Sequence, residues 1–336
     1  MRRHGRLWER IFDIDNIYYA YKLARKGKSW QDTIKRFDRN FDENLFAIQN
    51  LLISKTFTTS KYKEKIIYEP KKRVIYKLPF NPDRIVQHAL MNVVEPIWDA
   101  MFIHDSYACR KNKGIHAGSR RTMEFIRKNK YCLKMDISKF YPSVDHDILY
   151  EIVQKKIKCR NTLWLIKDII YSFPGGKNVP IGNYTSQWFG NLYLNELDQF
   201  LKHEQKVKYY IRYCDDFCLF HNDKGWLNEM SDKIRRFLHS KLKLELSKCD
   251  LFPVSRGVDF LGYRHFPKYI LVRKSTVKRI RRGLKRLPGL LAKGRITIDR
   301  FRSSLASTMG WLKWANTYNL RKSLRLDELQ EILNCA

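Results

Sequence analysis

Apolar residues recur every three or four positions near the start of the chain, as they do on the buried face of a helix. The recurring residues are Trp30, Ile34, Phe37, Phe41, Leu45 and Ile48. Between Ser60 and Pro82 the pattern changes to two short β-rich runs separated by Pro70-Lys71-Lys72. Such runs around a proline predict a β-hairpin. The sequence therefore predicts helices, then a hairpin, then a further helix over 83–101.

Strands and helices alternate along the rest of the chain. Residues 131–137 and 209–220 form β-rich runs, and an amphipathic helix is predicted over 185–204 between them. Another β segment, VDFLGYRHF, begins at Val258, and the residues after it have a helical pattern. Interspersed strands and helices place the chain in the α+β class, with an all-helical C-terminal lobe.

The composition is that of a folded protein with a polyanionic partner. The length corresponds to roughly two or three lobes, and 44 % hydrophobic residues exclude wholesale disorder. Lys and Arg number 66 against 34 Asp and Glu, which gives a net charge of +32. This charge exceeds what solubility needs and predicts binding to nucleic acid. An anionic membrane surface is the less favoured partner, because no amphipathic anchor stands out.

The sequence shows no sign of export, membrane insertion or structural zinc. Its start carries charges but no long apolar core, unlike a signal peptide, and no stretch approaches the roughly 18 apolar residues of a membrane span. The seven cysteines form no CxxC pair. These features predict a reduced cytoplasmic protein.

Three aspartates are the strongest candidates for chemistry. Asp215 and Asp216 are adjacent inside an otherwise apolar β segment, and Asp136 stands near the end of a separate strand. A turn aspartate often serves only local hydrogen bonding, but two adjacent like charges are costly unless a cation offsets them. If the two strands are neighbours, the three carboxylates share one edge of the sheet. Such oxygen donors can hold two Mg²⁺ ions for an in-line phosphoryl transfer.

Several segments resemble, in family order, the motifs of reverse transcriptases. They are RVIYKLPFNPDRIVQHAL (73–90), SYACRKNKGIHAGS (106–119), YCLKMDISKFYPSVDHDIL (131–149), VPIGNYTSQWFGNLYLNELDQF (179–200), YYIRYCDDFCLF (209–220), LKLELSKCDLF (242–252) and VDFLGY (258–263). The resemblance covers most of residues 70–265. It implies a right-hand polymerase fold, with a palm antiparallel sheet and a helical thumb, and an RNA-directed DNA polymerase activity.

The resemblance also assigns metal ligands and a triphosphate contact. Asp136, Asp215 and Asp216 match the catalytic carboxylates that bind two Mg²⁺ ions, for which Mn²⁺ can substitute. The carbonyl of Ile137 adds a further ligand in this comparison. Arg73 matches the fingers arginine that holds the incoming triphosphate, and a hairpin surface arginine is the alternative interpretation.

Further family positions concern the sugar, the leaving group and the primer. Tyr141 stands where the family places an aromatic ring that excludes the 2′-OH, although a core aromatic is the alternative. Lys248 stands where the family carries a lysine proposed to protonate pyrophosphate, and a solvated lysine is an equal alternative. The residues that resemble the primer grip are Phe260, Leu261, Gly262 and Tyr263.

The motif that opens the 185–204 helix favours one subfamily. Most bacterial relatives have PQG followed by SP, whereas this chain has Ile181 before Gly182 and Gln187 after Ser186. This pattern resembles reverse transcriptases of diversity-generating retroelements, which copy a template-repeat RNA into cDNA mutated mainly at adenines. Ile181 cannot form the hydrogen bond that Gln offers near the nucleotide, which would weaken base selection. The alternative is that Ile181 only packs.

The resemblance implies a domain plan. Residues 1–60 form a helical extension, 61–265 the fingers and palm, and 266–336 a basic helical thumb. The fingers are mainly 61–130 and 150–180, and the palm is mainly 131–149 and 181–265.

The basic C-terminal lobe is expected to follow the phosphate backbone of a template–primer duplex, because the chain carries Lys and Arg but no acid between Phe260 and Ile298. The candidate residues are Lys274, Lys278, Arg279, Arg281, Arg282, Lys285 and Arg286. The implied partners are template RNA, primer or cDNA, dNTPs and a small accessory variability protein. No membrane is expected, and the implied setting is a bacterial cytoplasm, with a prophage as one source.

Two other functions stay open at the level of the sequence. The chain could be a retron or group II intron-like reverse transcriptase of ordinary fidelity. It could also be a polymerase-derived scaffold that binds RNA without catalysis. The three intact aspartates argue against the scaffold.

Overall fold

The computed structural model describes residues 3–68 and 72–334, which fall into two compact units. The first unit comprises the chain up to Cys109 together with Asp136–Lys208 and Asp232–Lys248. The second comprises Arg110–Met135, Tyr209–Ser231 and the chain from Cys249 onward. The domain plan of extension, fingers, palm and thumb stays a sequence-based prediction.

The first unit begins with a group of helices, as the apolar spacing predicts. They are α1 (Trp8–Phe12), α2 (Ile14–Arg25), α3 (Asp32–Arg39), α4 (Phe41–Ile53) and α5 (Ile85–Asp99). Ile34, Phe37, Leu45 and Ile48 are buried, which confirms most of the predicted apolar stripe. The prediction is wrong for Trp30, which is 71 % exposed because it precedes the start of α3 at Asp32.

The predicted hairpin is confirmed. Strand β1 (Lys63–Ile67) pairs antiparallel with β2 (Arg73–Lys77). The expected turn residues Pro70 and Lys71 lie outside the described residues. The amide N–H of Tyr76 in β2 donates to the carbonyl of Ile181 at 2.8 Å, so the segment before the long helix is tied to this hairpin.

Further helices of the first unit are α7 (Phe140–Ser143), α8 (His146–Gln154), α9 (Arg160–Tyr171) and the long, buried α10 (Tyr184–Gln199). Helix α10 is in contact with α5 and α8, and α8 is also in contact with α9. The predicted apolar residues Trp188, Phe189, Leu192 and Leu197 of α10 are all buried. A short π-helical turn over Phe200–Glu204 continues it, which agrees with the helix predicted over 185–204.

A four-stranded sheet has the strand order β4-β5-β3-β6. Its strands are β3 (Tyr131–Ile137), β4 (Tyr210–Tyr213), β5 (Asp216–His221) and β6 (Leu246–Pro253). Helix α6 (Ile115–Lys128) precedes β3, and α11 (Lys224–Leu242) connects β5 to β6. Strands β4 and β5 pair antiparallel and are joined by two residues, so the predicted double run over 209–220 is a tight hairpin.

A small sheet and four helices complete the second unit. The strands are β7 (Val258–Phe260), β8 (Tyr263–His265) and β9 (Ile270–Val272), and the helices are α12 (Lys274–Ala292), α13 (Ile298–Leu312), α14 (Tyr318–Ser323) and α15 (Leu326–Asn334). Tyr263, Leu284, Phe301 and Leu312 share one core. The prediction of an all-helical C-terminal lobe is wrong, because Ile270–Val272 form strand β9, which pairs with β8.

Among the residues that the structure describes, no helix is both long enough and apolar enough to span a bilayer.

Candidate active site

Asp136 is presented by the pleat of β3. Successive side chains of a strand point to opposite faces, so Met135 and Ile137 enter the core while Lys134 and Asp136 share the other face. Ile137 is only 2 % exposed. The hydroxyl of Ser247 donates to the Asp136 carboxylate at 2.6 Å, which holds that side chain in place.

Asp215 and Asp216 lie at the turn of the β4–β5 hairpin. Tyr213 pairs with Asp216, which leaves Cys214 and Asp215 as the two turn residues. Cys214 has a φ of 54°, a left-handed conformation that is uncommon for a residue with a side chain. The buried Arg212 donates to the Cys214 carbonyl at 3.1 Å and so supports this turn from within the core.

The Asp216 carboxylate forms an ion pair with Lys134 of β3, with the two charged atoms 3.2 Å apart. Burial alone would lower the pKa of the Lys134 ammonium, but Asp216 and its neighbours raise it above the usual value. Lys134 therefore stays protonated and offsets the charge of Asp216. The Lys134 ammonium also donates to the backbone carbonyl of Asp259.

The donor chemistry at these strands suits a hard divalent cation. Asp136, Asp215 and Asp216 offer carboxylate oxygens, and Ile137 offers a carbonyl, which are the ligands that Mg²⁺ prefers. Across residues 3–68 and 72–334, however, no three His, Cys, Asp or Glu side chains form a group arranged to hold a metal ion. Ser247 donates to the Asp136 carboxylate, and Lys134 pairs with the Asp216 carboxylate.

Tyr141 and Ile181 are both partly buried residues of the first unit. Tyr141 is partly buried beside Phe140, with the ring centroids 5.2 Å apart. A Cβ added at Gly190 would lie 3.2 Å from the Tyr141 ring, so the glycine gives the ring its space. Ile181 is partly buried, and its carbonyl accepts from β2 as described above.

Three other predicted nucleotide-binding residues are exposed side chains on different elements. Arg73 opens β2, Gln187 lies in the first turn of α10, and Lys248 lies in β6. Their exposure leaves each one accessible to a ligand, and their nucleotide-binding roles stay predictions.

The segment that resembles a primer grip is the β7–β8 hairpin. Leu261 and Gly262 have positive φ angles of 56° and 84°, as a two-residue hairpin turn requires. Phe260 and Tyr263 are fully buried, and the Tyr263 hydroxyl donates to the Trp311 carbonyl at 3.1 Å. Burial raises the pKa of Tyr263 to about 12. Leu261 is buried as well, at 8 % exposure, so Gly262 is the one partly exposed residue of Phe260–Tyr263.

All of the predicted nucleic-acid-binding residues are exposed on α12. They are Lys274, Lys278, Arg279, Arg281, Arg282, Lys285 and Arg286. Leu284 and Leu287 form the buried side of the same helix. Helix α12 thus has an apolar side in the core and a strongly basic side facing solvent.

Three side chains that hold the aspartates or their turn were not predicted from the sequence: Lys134, Ser247 and Arg212. A signal was present for Lys134, because it is two residues before Asp136 and so shares its face of the strand. No local pattern indicates Ser247, which is 111 positions from Asp136.

The family model described as reverse transcriptase (RNA-dependent DNA polymerase) matches residues 61–265. Protein YkfC of Escherichia coli strain K12 is 27 % identical over 235 residues, which cover 56 % of this chain and 61 % of that protein. The group II intron-encoded protein LtrA of Lactococcus lactis is 23 % identical over 359 residues, covering 82 % of this chain and 58 % of that protein. The chain thus spans about three fifths of the length of both relatives.

Two further similarities were found. The retron Ec73 reverse transcriptase of Escherichia coli is 27 % identical over 242 residues, which cover 62 % of this chain and 73 % of that protein. Among solved structures, apo telomerase from Candida tropicalis aligns with a TM-score of 0.49 and 14 % identity, covering 68 % of this chain and 52 % of that one.

Proposed function

The chain belongs to the reverse transcriptase family, and we propose that it is an RNA-directed DNA polymerase. Its mixed helices and sheets have the right-hand polymerase fold of that family. The observation that carries the proposal is the family match over 61–265, within which Asp136, Asp215 and Asp216 all remain acidic. A scaffold that only binds RNA has no need of these three carboxylates, so their presence favours catalysis.

We assign the cation ligands to Asp136, Asp215, Asp216 and the Ile137 carbonyl. The strand order supports this assignment, because β5 and β3 are neighbours in the sheet. Two divalent ions, Mg²⁺ or Mn²⁺, would supply activation of the primer 3′-hydroxyl and stabilisation of the leaving oxygen. The chain must provide carboxylates in a fixed orientation, and Ser247 does this for Asp136 by donating to it at 2.6 Å.

The nucleotide would be held by side chains around these carboxylates. We assign the triphosphate to Arg73, whose planar guanidinium matches paired phosphate oxygens. Tyr141 would exclude a ribose 2′-hydroxyl. Its ring is partly buried, so neighbouring side chains hold it in place for that role. Ile181 and Gln187 would lie against the nucleotide, and Lys248 would donate a proton to pyrophosphate.

Template RNA and the primer or cDNA would bind along the second unit. The backbone at Gly262 would contact the primer, because Phe260, Leu261 and Tyr263 are buried and support the turn from beneath. The exposed basic side of α12 would follow the phosphate backbone, which is the usual source of affinity without sequence preference.

Primer extension on a defined RNA template tests the assignment. Asp136→Ala, Asp215→Ala and Asp216→Ala should each abolish dNTP incorporation while RNA affinity stays within a few-fold, since these acids bind metal rather than template. Asp232→Ala, in an exposed position of α11, is the matched control and should keep full activity. Continued incorporation by the Asp136→Ala/Asp215→Ala double variant would refute the catalytic assignment.

The relatives favour a retron or group II intron-like enzyme of ordinary fidelity, since they include LtrA and the retron Ec73 enzyme. A second candidate is supported by Ile181 and Gln187, which match the pattern of diversity-generating retroelements. That candidate adds mutagenic copying of template adenines and a small accessory protein. Sequencing cDNA made from one RNA template separates the two, because only the second predicts errors concentrated at adenine.

The Ile181→Gln variant tests whether Ile181 lowers the fidelity of copying. A side chain with a donor and an acceptor should restore a contact that rewards correct base-pair geometry. One hydrogen bond contributes about 0.5–1.5 kcal/mol, so a several-fold drop in misincorporation opposite adenine is expected for a mutagenic enzyme. Equal error spectra for wild type and variant would contradict a link between Ile181 and fidelity.

A further inference from the structure

Lys134 contacts two strands of the second unit: β5, whose Asp216 is a proposed metal ligand, and β7, which belongs to the hairpin proposed to contact the primer. Its ammonium lies 3.2 Å from the Asp216 carboxylate, and it also donates to the backbone carbonyl of Asp259 in β7. The side chains of Lys134 and Asp216 are only 18 % and 27 % exposed, so water screens this ion pair weakly. A lysine fixed at both an acid and a carbonyl has lost the rotational freedom that surface lysines keep.

The position of Lys134 follows from the fold around β3. The flanking residues Leu133 and Met135 are buried, which fixes the face on which the lysine emerges. The ring of Phe260 lies with its centroid 5.9 Å from the ammonium, at the outer limit of a cation–π contact. The chain thus directs this ammonium toward Asp216 rather than into solvent.

Asp259 has a second contact, through its side chain. Its carboxylate forms an ion pair with Arg273, the residue directly before α12. The backbone of Asp259 therefore has a fixed position, with Lys134 at its carbonyl and Arg273 at its carboxylate. Lys134 can release Asp216 and still keep a partner for its ammonium.

We propose that Lys134 is a positioning residue that acts as the internal counter-ion of Asp216, and that a divalent cation must displace it before Asp216 becomes a ligand. This inference rests on the proposed two-metal function. An ammonium and a divalent cation compete for one carboxylate because each neutralises the same charge. The lysine lowers the affinity for the cation and offsets part of the negative charge that Asp216 carries beside Asp215.

Titration of the protein with Mn²⁺ in the absence of nucleic acid tests this role. The electron paramagnetic resonance signal of free Mn²⁺ measures how much of the cation is bound. Lys134→Met should tighten Mn²⁺ binding roughly three- to tenfold, the scale expected when a partly shielded ion pair no longer competes. Lys134→Arg keeps the charge and should stay near wild type. Lys130→Met removes an exposed lysine just before β3 and is the matched control, with no change expected.

A double-variant comparison separates this inference from the proposed function. In an Asp216→Asn background, Lys134→Met should leave Mn²⁺ affinity unchanged, because the competition needs the carboxylate. If Asp216→Asn alone does not weaken Mn²⁺ binding, the proposed metal assignment of Asp216 is wrong. If Asp216→Asn weakens binding but Lys134→Met does not tighten it, or if Lys130→Met tightens it equally, the counter-ion role alone is refuted. Lys134→Gln replaces Lys134→Met if the latter unfolds.

Discussion

At the scale of residues, we propose that one side chain, Tyr141, decides which sugar the polymerase accepts. Tyr141 is partly buried and packs beside Phe140, with Gly190 leaving room for the ring. A ring supported in this way can exclude a 2′-hydroxyl by its volume alone, without any hydrogen bond to the nucleotide. Its hydroxyl group is therefore not needed for the exclusion.

Tyr141→Ala should let ribonucleotides in, while Tyr141→Phe should keep the wild-type preference because it retains the ring. Single-nucleotide extension with matched rNTP and dNTP measures the ratio of the two rates. An unchanged preference in Tyr141→Ala would mean that Tyr141 is a core residue and not a steric gate.

Another buried residue makes stability depend on pH. His265 is fully buried, its Nε2 lies 2.7 Å from the Ser119 hydroxyl, and desolvation lowers its pKa to about 4. The unfolded chain has the ordinary value of about 6.5, so between these values the unfolded state binds more protons. The stabilisation is thus complete above pH 6.5 and is lost as the pH falls toward 4.

Urea unfolding at pH 7.5 and pH 5.0 checks this expectation. His265 should contribute a loss of about 2 kcal/mol in the free energy of unfolding at the lower pH. His265→Asn should remove that part of the difference and leave the part due to His88, whose pKa is also lowered to about 4 by burial. An identical pH dependence in wild type and His265→Asn would contradict the assignment.

At the scale of elements, the segment before α10 depends on a close backbone approach to β2. Gly182 has a φ of 126°, and a Cβ there would lie 2.5 Å from the Tyr76 carbonyl oxygen. Only glycine fits both the conformation and the space. Ile181, one of the two residues that distinguish the candidate functions, is positioned by this contact.

Gly182→Ala should therefore lower the melting temperature and raise the KM for dNTPs, because β2 and Ile181 must move apart. Gly175→Ala is the control: its φ is 94° but nothing lies within 4 Å of an added Cβ, so it adds strain without a clash. Strain of this kind costs about 1–3 kcal/mol. Equal melting temperatures for the two variants would show that the contact with Tyr76 is unimportant.

At the scale of the whole molecule, charge is the dominant property. The net charge of +32 is far above that of an ordinary protein of this length. In the second unit, α12 exposes its basic residues to solvent while Leu284 and Leu287 remain in the core. A polyanion would bind such a helix by releasing counter-ions, so affinity should depend steeply on salt.

Replacing Lys278, Arg279 and Lys285 by Gln should weaken duplex binding and reduce the slope of log affinity against log salt by roughly 0.9 for each lost phosphate contact. Replacing Lys233, Arg235 and Arg236, which are exposed on α11, removes the same charge elsewhere and should change the slope less. Fluorescence anisotropy of a labelled RNA–DNA duplex at several salt concentrations gives both slopes. Equal slopes for the two triple variants would argue against α12 as the binding surface.

The sequence by itself determined the local elements and the family. Periodicity placed the hairpin, the strand over 131–137 and the buried α10, because these depend on neighbours in the chain. The motif order gave the polymerase fold, and the three aspartates gave a catalytic hypothesis. Trp30 was misplaced because a periodic pattern does not mark where a helix begins.

Only the tertiary structure decided what each side chain contacts. Ser247 reaches Asp136 across 111 positions, and Lys134 meets Asp216 because β3 and β5 are neighbours in the sheet. Tertiary packing also buried Phe260 and Tyr263, which the motif alone presents as binding residues. Contacts between distant parts of a chain depend on how elements pack. A local periodic pattern indicates which face of an element is buried, but it does not indicate which distant residue that face meets.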